Sequence, residues 1–186
     1  MTTATKTGAS ALWIFLLTAA SIATTFTLAC AMPFAALAAL AAVHMHRSDA
    51  LKLMGLVWLA NQFVGFTFLH YPQTLTTYLW GAALGTGAIS ALFGADIVLA
   101  RFQSRSEPVR LAVSYLAGFI AFKAVILMWS FGLGGVETTI DPTIVSRQIV
   151  REGMILVGLF ALYHALRAIG VPAPRPRQSP VAMVTA

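Results

Sequence analysis

Charge is scarce in this chain. Only 10% of its 186 residues are Asp, Glu, Lys or Arg, while 59% are hydrophobic; an ordinary soluble domain carries about 25% charge. A chain of this length makes one domain whose surface still needs polar cover. A large dry core therefore does not account for the deficit, and a hydrocarbon solvent does. A single cysteine, Cys30, excludes an intrachain disulfide and leaves the redox compartment unmarked. The phosphate-cradling GxxxxGK[ST] loop, HExxH, GxSxG and any paired-cysteine metal site are all missing, so nothing points to catalysis. The net charge of +6 sits in short clusters between apolar runs. That is the pattern of the positive-inside rule and not a nucleic-acid face.

What the sequence does contain is a succession of apolar runs. The first, residues 11–43, carries no charge. As one helix it would be about 50 Å long, against a hydrocarbon core of about 30 Å. It is also far longer than the h-region of a cleaved signal peptide, about 7–15 residues, so it reads as retained. Pro33 and the cluster Thr24-Thr25-Phe26-Thr27 offer places to turn. Two spans, 9–27 and 30–46, joined by a tight hairpin, are expected. Further spans are expected at 51–69, 78–99, 111–132 and 148–168, with a loop at 134–147. The expected fold class is an all-α integral membrane protein, a six-span helical bundle with both termini inside. The alternative is five spans with the N-terminus outside. Residues 1–8 read as a cytoplasmic N-terminus, 9–168 as the bundle and 169–186 as a Pro-rich, disordered cytoplasmic tail.

Orientation follows from the basic residues. One side collects Lys6, Arg47, Lys52, Arg101, Arg105, Arg110, Arg167, Arg175 and Arg177; the other has only Arg147 and Arg151. The first side is expected to be cytoplasmic, in a bacterial inner membrane. In the fourth span Gly81 and Gly85, Ala83 and Gly87, and Ser90 and Gly94 fall four residues apart, a spacing that lets helices pack closely or form a dimer face.

Ionisable side chains are costly in hydrocarbon, at least about 2.5–3.5 kcal/mol each, and so mark candidate sites. Lys123 lies deep in the fifth span, Asn61 and Gln62 near the middle of the third, and Arg151 and Glu152 at the start of the sixth. Lys123 paired with Glu152 would leave Arg147, Arg151, Asn61 and Gln62 to line an outward-facing cavity. Trp58, Tyr71, Tyr78 and Trp80 would supply aromatic walls. The excess of positive charge selects an anionic or carboxylate-bearing ligand. The competing readings are snorkelling for Lys123 and helix–helix hydrogen bonds for Asn61 and Gln62. A second constellation, His44, His46 and His164, could ligate haem or a divalent metal, although His44 and His46 point about 200° apart on a helix. Asp96 reads as a partner for Arg101, with a proton-relay carboxylate as the alternative.

Size, six spans, cytoplasmic ends and the absence of a soluble domain together resemble the substrate-binding S components of energy-coupling-factor vitamin transporters. Ala19 and Ala23, and less closely Ala20 and Thr24, have the Ala-x-x-x-Ala spacing by which that family's first span meets its coupling subunit. The resemblance covers the layout of residues 9–168. It implies a ligand held in the outer half of the bundle, where Lys123, Asn61 and Arg151 are expected. Three functions follow as expectations: uptake or substrate binding for a small anionic or amphiphilic nutrient without a cofactor; an accessory subunit bound to another membrane polypeptide; or a haem- or metal-carrying redox subunit.

Overall fold

The computed structural model describes residues 3–27 and 33–174, and within them every regular element is a helix. These are α1 (Thr3–Thr27), α2 (Phe34–His44), α3 (Arg47–Thr67), α4 (Leu75–Leu99), α5 (Glu107–Leu133), α6 (Val136–Ile140) and α7 (Pro142–Ala168). Three of them, α4, α5 and α7, are long and apolar enough to cross a bilayer. Together with exposed apolar side chains such as Phe131, Ile120 and Val157, which are 74, 67 and 67% accessible, they define a helical membrane protein. The turn expected between α1 and α2, and with it Cys30, lies outside the described residues.

The starts of the helices are written in the sequence. Asp141 caps α7, its carboxylate accepting from the N–H groups of Thr143 and Ile144 at 2.8 and 3.0 Å, and Pro142 takes the first turn. Thr74 caps α4 through the N–H of Thr77, and His46 caps α3 through that of Ser48. The region expected as a loop, 134–147, is in fact α6 followed by the first turns of α7. Of the expected tail, residues 169–174 are described, and two of them pack or bond to the bundle. Trp13, 1% exposed, donates from its indole to the carbonyl of Pro172 at 2.8 Å, and Pro174 is buried.

Helix α2 departs most from expectation. The span expected over 30–46 is a helix of 11 residues, about 16 Å long and half the hydrocarbon thickness. It runs through the centre of the bundle, packed by α3, α4, α5 and α7. Every residue from Phe34 to Ala42 is 1% exposed or less. Its sequence of alanines and leucines suits that place, because small side chains let four helices close around it and Ala is the best helix former. The glycines of α4 are spent in the same way. A Cβ on Gly81 or Gly85 would strike Gln62 or Trp58 of α3, and one on Gly87 or Gly94 would strike Phe122 or Ala121 of α5.

The bundle has a basic end. There the C-terminus of α4 meets the N-terminus of α3, with Asp96 3.7 Å from Arg47, and Arg47 lies over the ring of Phe93 at 5.1 Å. Arg47 stands at Asp96 as a basic partner that the sequence did not point to. Arg101 and Arg105, in the turn between α4 and α5, and Arg110 and Arg167, near the adjoining ends of α5 and α7, lie at the same end of the bundle.

Candidate functional site

At the opposite end of the bundle, α4, α5 and α7 enclose a cavity of about 500 Å³. Tyr71, Trp80, Leu84, Phe122, Ile126 and Ile144 form its apolar walls, and Lys123, Arg147, Gln148, Arg151 and Glu152 its polar side. Its volume falls within the roughly 300–1,000 Å³ typical of small-molecule sites. Three cationic side chains face one carboxylate, so the lining carries excess positive charge.

A chain of hydrogen bonds crosses the floor of the cavity. Lys123 Nζ donates to Gln148 Oε1 at 3.3 Å, and Gln148 Nε2 donates to Glu152 Oε1 at 3.1 Å. Glu152 Oε2 accepts from the backbone N–H of Ala35 at 3.1 Å. The chain thus links α5 to α7 and α7 to the first turn of α2. Glu152 lies about 15 Å along α7 by helical rise and is 3% exposed. The N-terminus of α2 has no side-chain cap of its own, since Pro33 stands at the capping position. Its free N–H groups and the positive end of its dipole compensate the buried carboxylate of Glu152.

Of the residues singled out in the sequence, Lys123, Arg147, Arg151, Glu152 and Trp80 come together in this cavity, with Tyr71 beside them. Asn61 and Gln62 do not. Asn61, 1% exposed, donates to the carbonyl of Val57 at 2.8 Å and faces Ser21 of α1 at 3.4 Å. Gln62 lies against Gly81 of α4, and Trp58 donates to the Gly81 carbonyl at 2.8 Å. Asn61 thus joins α3 to α1, whereas Gln62 packs against α4 with its Nε2 buried and without a hydrogen-bond partner among the described residues. Gln148 escaped the sequence reading, although it lies four residues before Glu152 and so on the same helical face.

A smaller polar cluster occupies the basic end. His44 of α2 and His164 of α7 approach the same atom, Oε1 of Glu107, at 3.3 and 3.4 Å. The ring of His44 stacks on Tyr163 with centroids 4.2 Å apart. A second cavity of about 480 Å³ opens beside them. His46 stands apart, bonded to Ser48 at 2.9 Å. Among the described residues, no group of three or more His, Cys, Asp or Glu side chains is arranged to hold a metal ion.

The architecture and cavity define a class, helical membrane proteins with a polar, positively charged chamber inside the bundle. Searches against family models, curated proteins and solved structures match none of them.

Proposed function

We propose that the protein is a multi-pass uptake protein, or the substrate-binding subunit of a transporter, for a small anionic or amphiphilic nutrient. One observation carries this reading: a chamber of about 500 Å³ with aromatic walls gathers Lys123, Arg147 and Arg151 around a single buried carboxylate. The cations would hold a carboxylate or phosphate, Trp80 and Phe122 an apolar body, and Gln148 with Glu152 would fix the ammonium of Lys123. The basic end faces the cytoplasm of a bacterial cell by the positive-inside rule, and the chamber then opens outward. In this reading α1, α2, α3, α4, α5 and α7 are six spans with both termini inside, α2 being a half-length one. The layout favours a relation to S components of energy-coupling-factor transporters, whose coupling face would correspond to Ala19 and Ala23, both exposed on α1.

Native mass spectrometry of the detergent-purified protein, with an absorption spectrum of the same sample, tests the assignment. The expected result is a co-purifying small organic mass without a visible band, lost in Lys123→Ala at unchanged expression. A ligand retained at full occupancy by Lys123→Ala would remove the site. A bare protein held to a second membrane polypeptide would favour an accessory subunit, and a Soret band would favour the histidines.

A further inference from the structure

The two cavities lie at opposite ends of α2, and each contains a carboxylate that grips that end. Glu152 of α7 accepts from the N–H of Ala35 at the first turn, and Glu107 of α5 lies 3.3 Å from the ring of His44 at the last. Between them α2 is closed, with no residue from Phe34 to Ala42 more than 1% exposed. By helical rise the distance from Lys123 to Glu107 along α5 is about 24 Å, and from Glu152 to His164 along α7 about 18 Å. Each chamber sets basic side chains about one carboxylate. Lys123, Arg147 and Arg151 surround Glu152; His44, His164 and Arg167 surround Glu107. Tyr163 completes the lining.

The contact at the basic end is a weak one. His44 Nε2 and Glu107 Oε1 are buried and lie 3.3 Å apart without a well-formed hydrogen bond, so little holds the two side chains together. The same oxygen is shared with His164, whose side chain is 52% exposed. An anion entering among His44, His164 and Arg167 would compete with Glu107 for the same ring nitrogens and guanidinium. It thereby loosens the grip on α2.

We infer that α2 is the barrier of a transport pathway, and that the cavity at the basic end is the inward-facing station for the same class of small organic anion. His44, Glu107 and His164 are the latch between barrier and station. The inference rests on the uptake reading above, because a barrier needs a chamber on each side.

Thiol chemistry tests it without knowledge of the nutrient. In a Cys30→Ser background the chain has no other thiol. Single cysteines replace Ile144 in the first chamber, Ala168 in the second and Ala39 in the middle of α2. Each is treated, in right-side-out and inside-out vesicles, with an anionic sulfonatoethyl methanethiosulfonate and its cationic trimethylammonium counterpart. Ile144→Cys is expected to react from outside only and Ala168→Cys from inside only. Ala168→Cys should prefer the anionic reagent, a preference reduced severalfold by Arg167→Gln. Ala39→Cys should be inert until Glu107→Gln releases the latch. It should then react from inside at least roughly tenfold faster, the scale of a typical coupling between sites. His164→Ala changes a half-exposed side chain and gives the same readout if Glu107→Gln does not fold. Ala39→Cys that stays inert in both variants, in monodisperse protein whose other two cysteines react, makes α2 a fixed core and overturns the inference. A ligand lost on Lys123→Ala in that same protein would leave the uptake site standing, so the two failures are separable.

Discussion

Glu152 of α7 caps the first turn of α2, its Oε2 accepting the N–H of Ala35 at 3.1 Å in a place where the carboxyl side chain is almost wholly buried. A helix normally carries its cap within its own sequence, in a Ser, Thr, Asp or Asn just before the first turn. Here Pro33 occupies that position and cannot serve. The cap comes from 117 residues away, so the position of α2 depends on α7.

The first expectation follows from that dependence. Glu152→Ala leaves the N–H of Ala35 buried without an acceptor, which costs about 1–3 kcal/mol. Glu152→Gln keeps an oxygen at the same reach and should retain most of the stability. Thermal unfolding in one detergent, read by the loss of helical signal, should rank the wild type first, the glutamine variant second and the alanine variant last. An alanine variant as stable as the wild type would show that the cap contributes nothing.

A second expectation concerns Gln148, which receives from Lys123 and donates to Glu152. Charge on α5 is thereby felt on α7 through an intervening amide. A double-mutant cycle on unfolding free energy with Lys123→Met and Glu152→Gln should show coupling of about 0.5–3 kcal/mol, the range for residues sharing one network. Repeated in Gln148→Leu, the cycle should lose most of that coupling. Equal coupling in both backgrounds would mean that the two charges interact directly.

The sequence made the helices legible and left their faces open. Charge deficit and apolar runs marked every long helix to within several residues at each end, because hydrocarbon punishes polar groups wherever they point. They also gave depth, which is why Lys123, Arg151 and Glu152 could be grouped before any geometry was known. Hydropathy carries no azimuth, however. Asn61 has the same depth whether it faces a chamber or α1, and it faces α1. The alanine-rich run that contains α2 is apolar throughout, so nothing in its composition marked the helix as only 11 residues long. Gln148 and Glu107 were passed over because one fell at the edge of an expected span and the other in an expected loop. Each acts through a residue on another helix that only the fold brings near.

Asn61 yields a third expectation. Its amide joins α3 to α1 and lines neither chamber. Asn61→Leu should therefore leave ligand retention unchanged in native mass spectra. It should lower stability by about 0.6 kcal/mol, and by no more than about 1.7, the span measured for hydrogen bonds between membrane helices. Loss of the co-purifying mass in a stable Asn61→Leu protein would return Asn61 to the binding site.

The contact between α4 and α5 gives the last expectation, since it separates glycines that fill a space from glycines that do not. A Cβ on Gly94 would come within 2.7 Å of the Cβ of Ala121 and 2.8 Å of the backbone oxygen of Ala117. Neither atom is the end of a flexible side chain, so one helix must move outward. Gly118 faces α4 in the same way, 3.0 Å from the backbone oxygen of Ala91. Overpacking of this kind costs about 1–3 kcal/mol, and Gly94→Ala should show it as a lowered unfolding temperature. Gly158 of α7 is the internal control, because nothing lies within 4 Å of a Cβ placed there. Gly158→Ala should be neutral or gain up to about 1 kcal/mol from helix propensity. The pair also tests whether α4 and α5 pack inside one chain. If the glycines of α4 served a dimer face instead, Gly94→Ala would weaken self-association measured by analytical ultracentrifugation and leave the unfolding temperature of the monomer where it was.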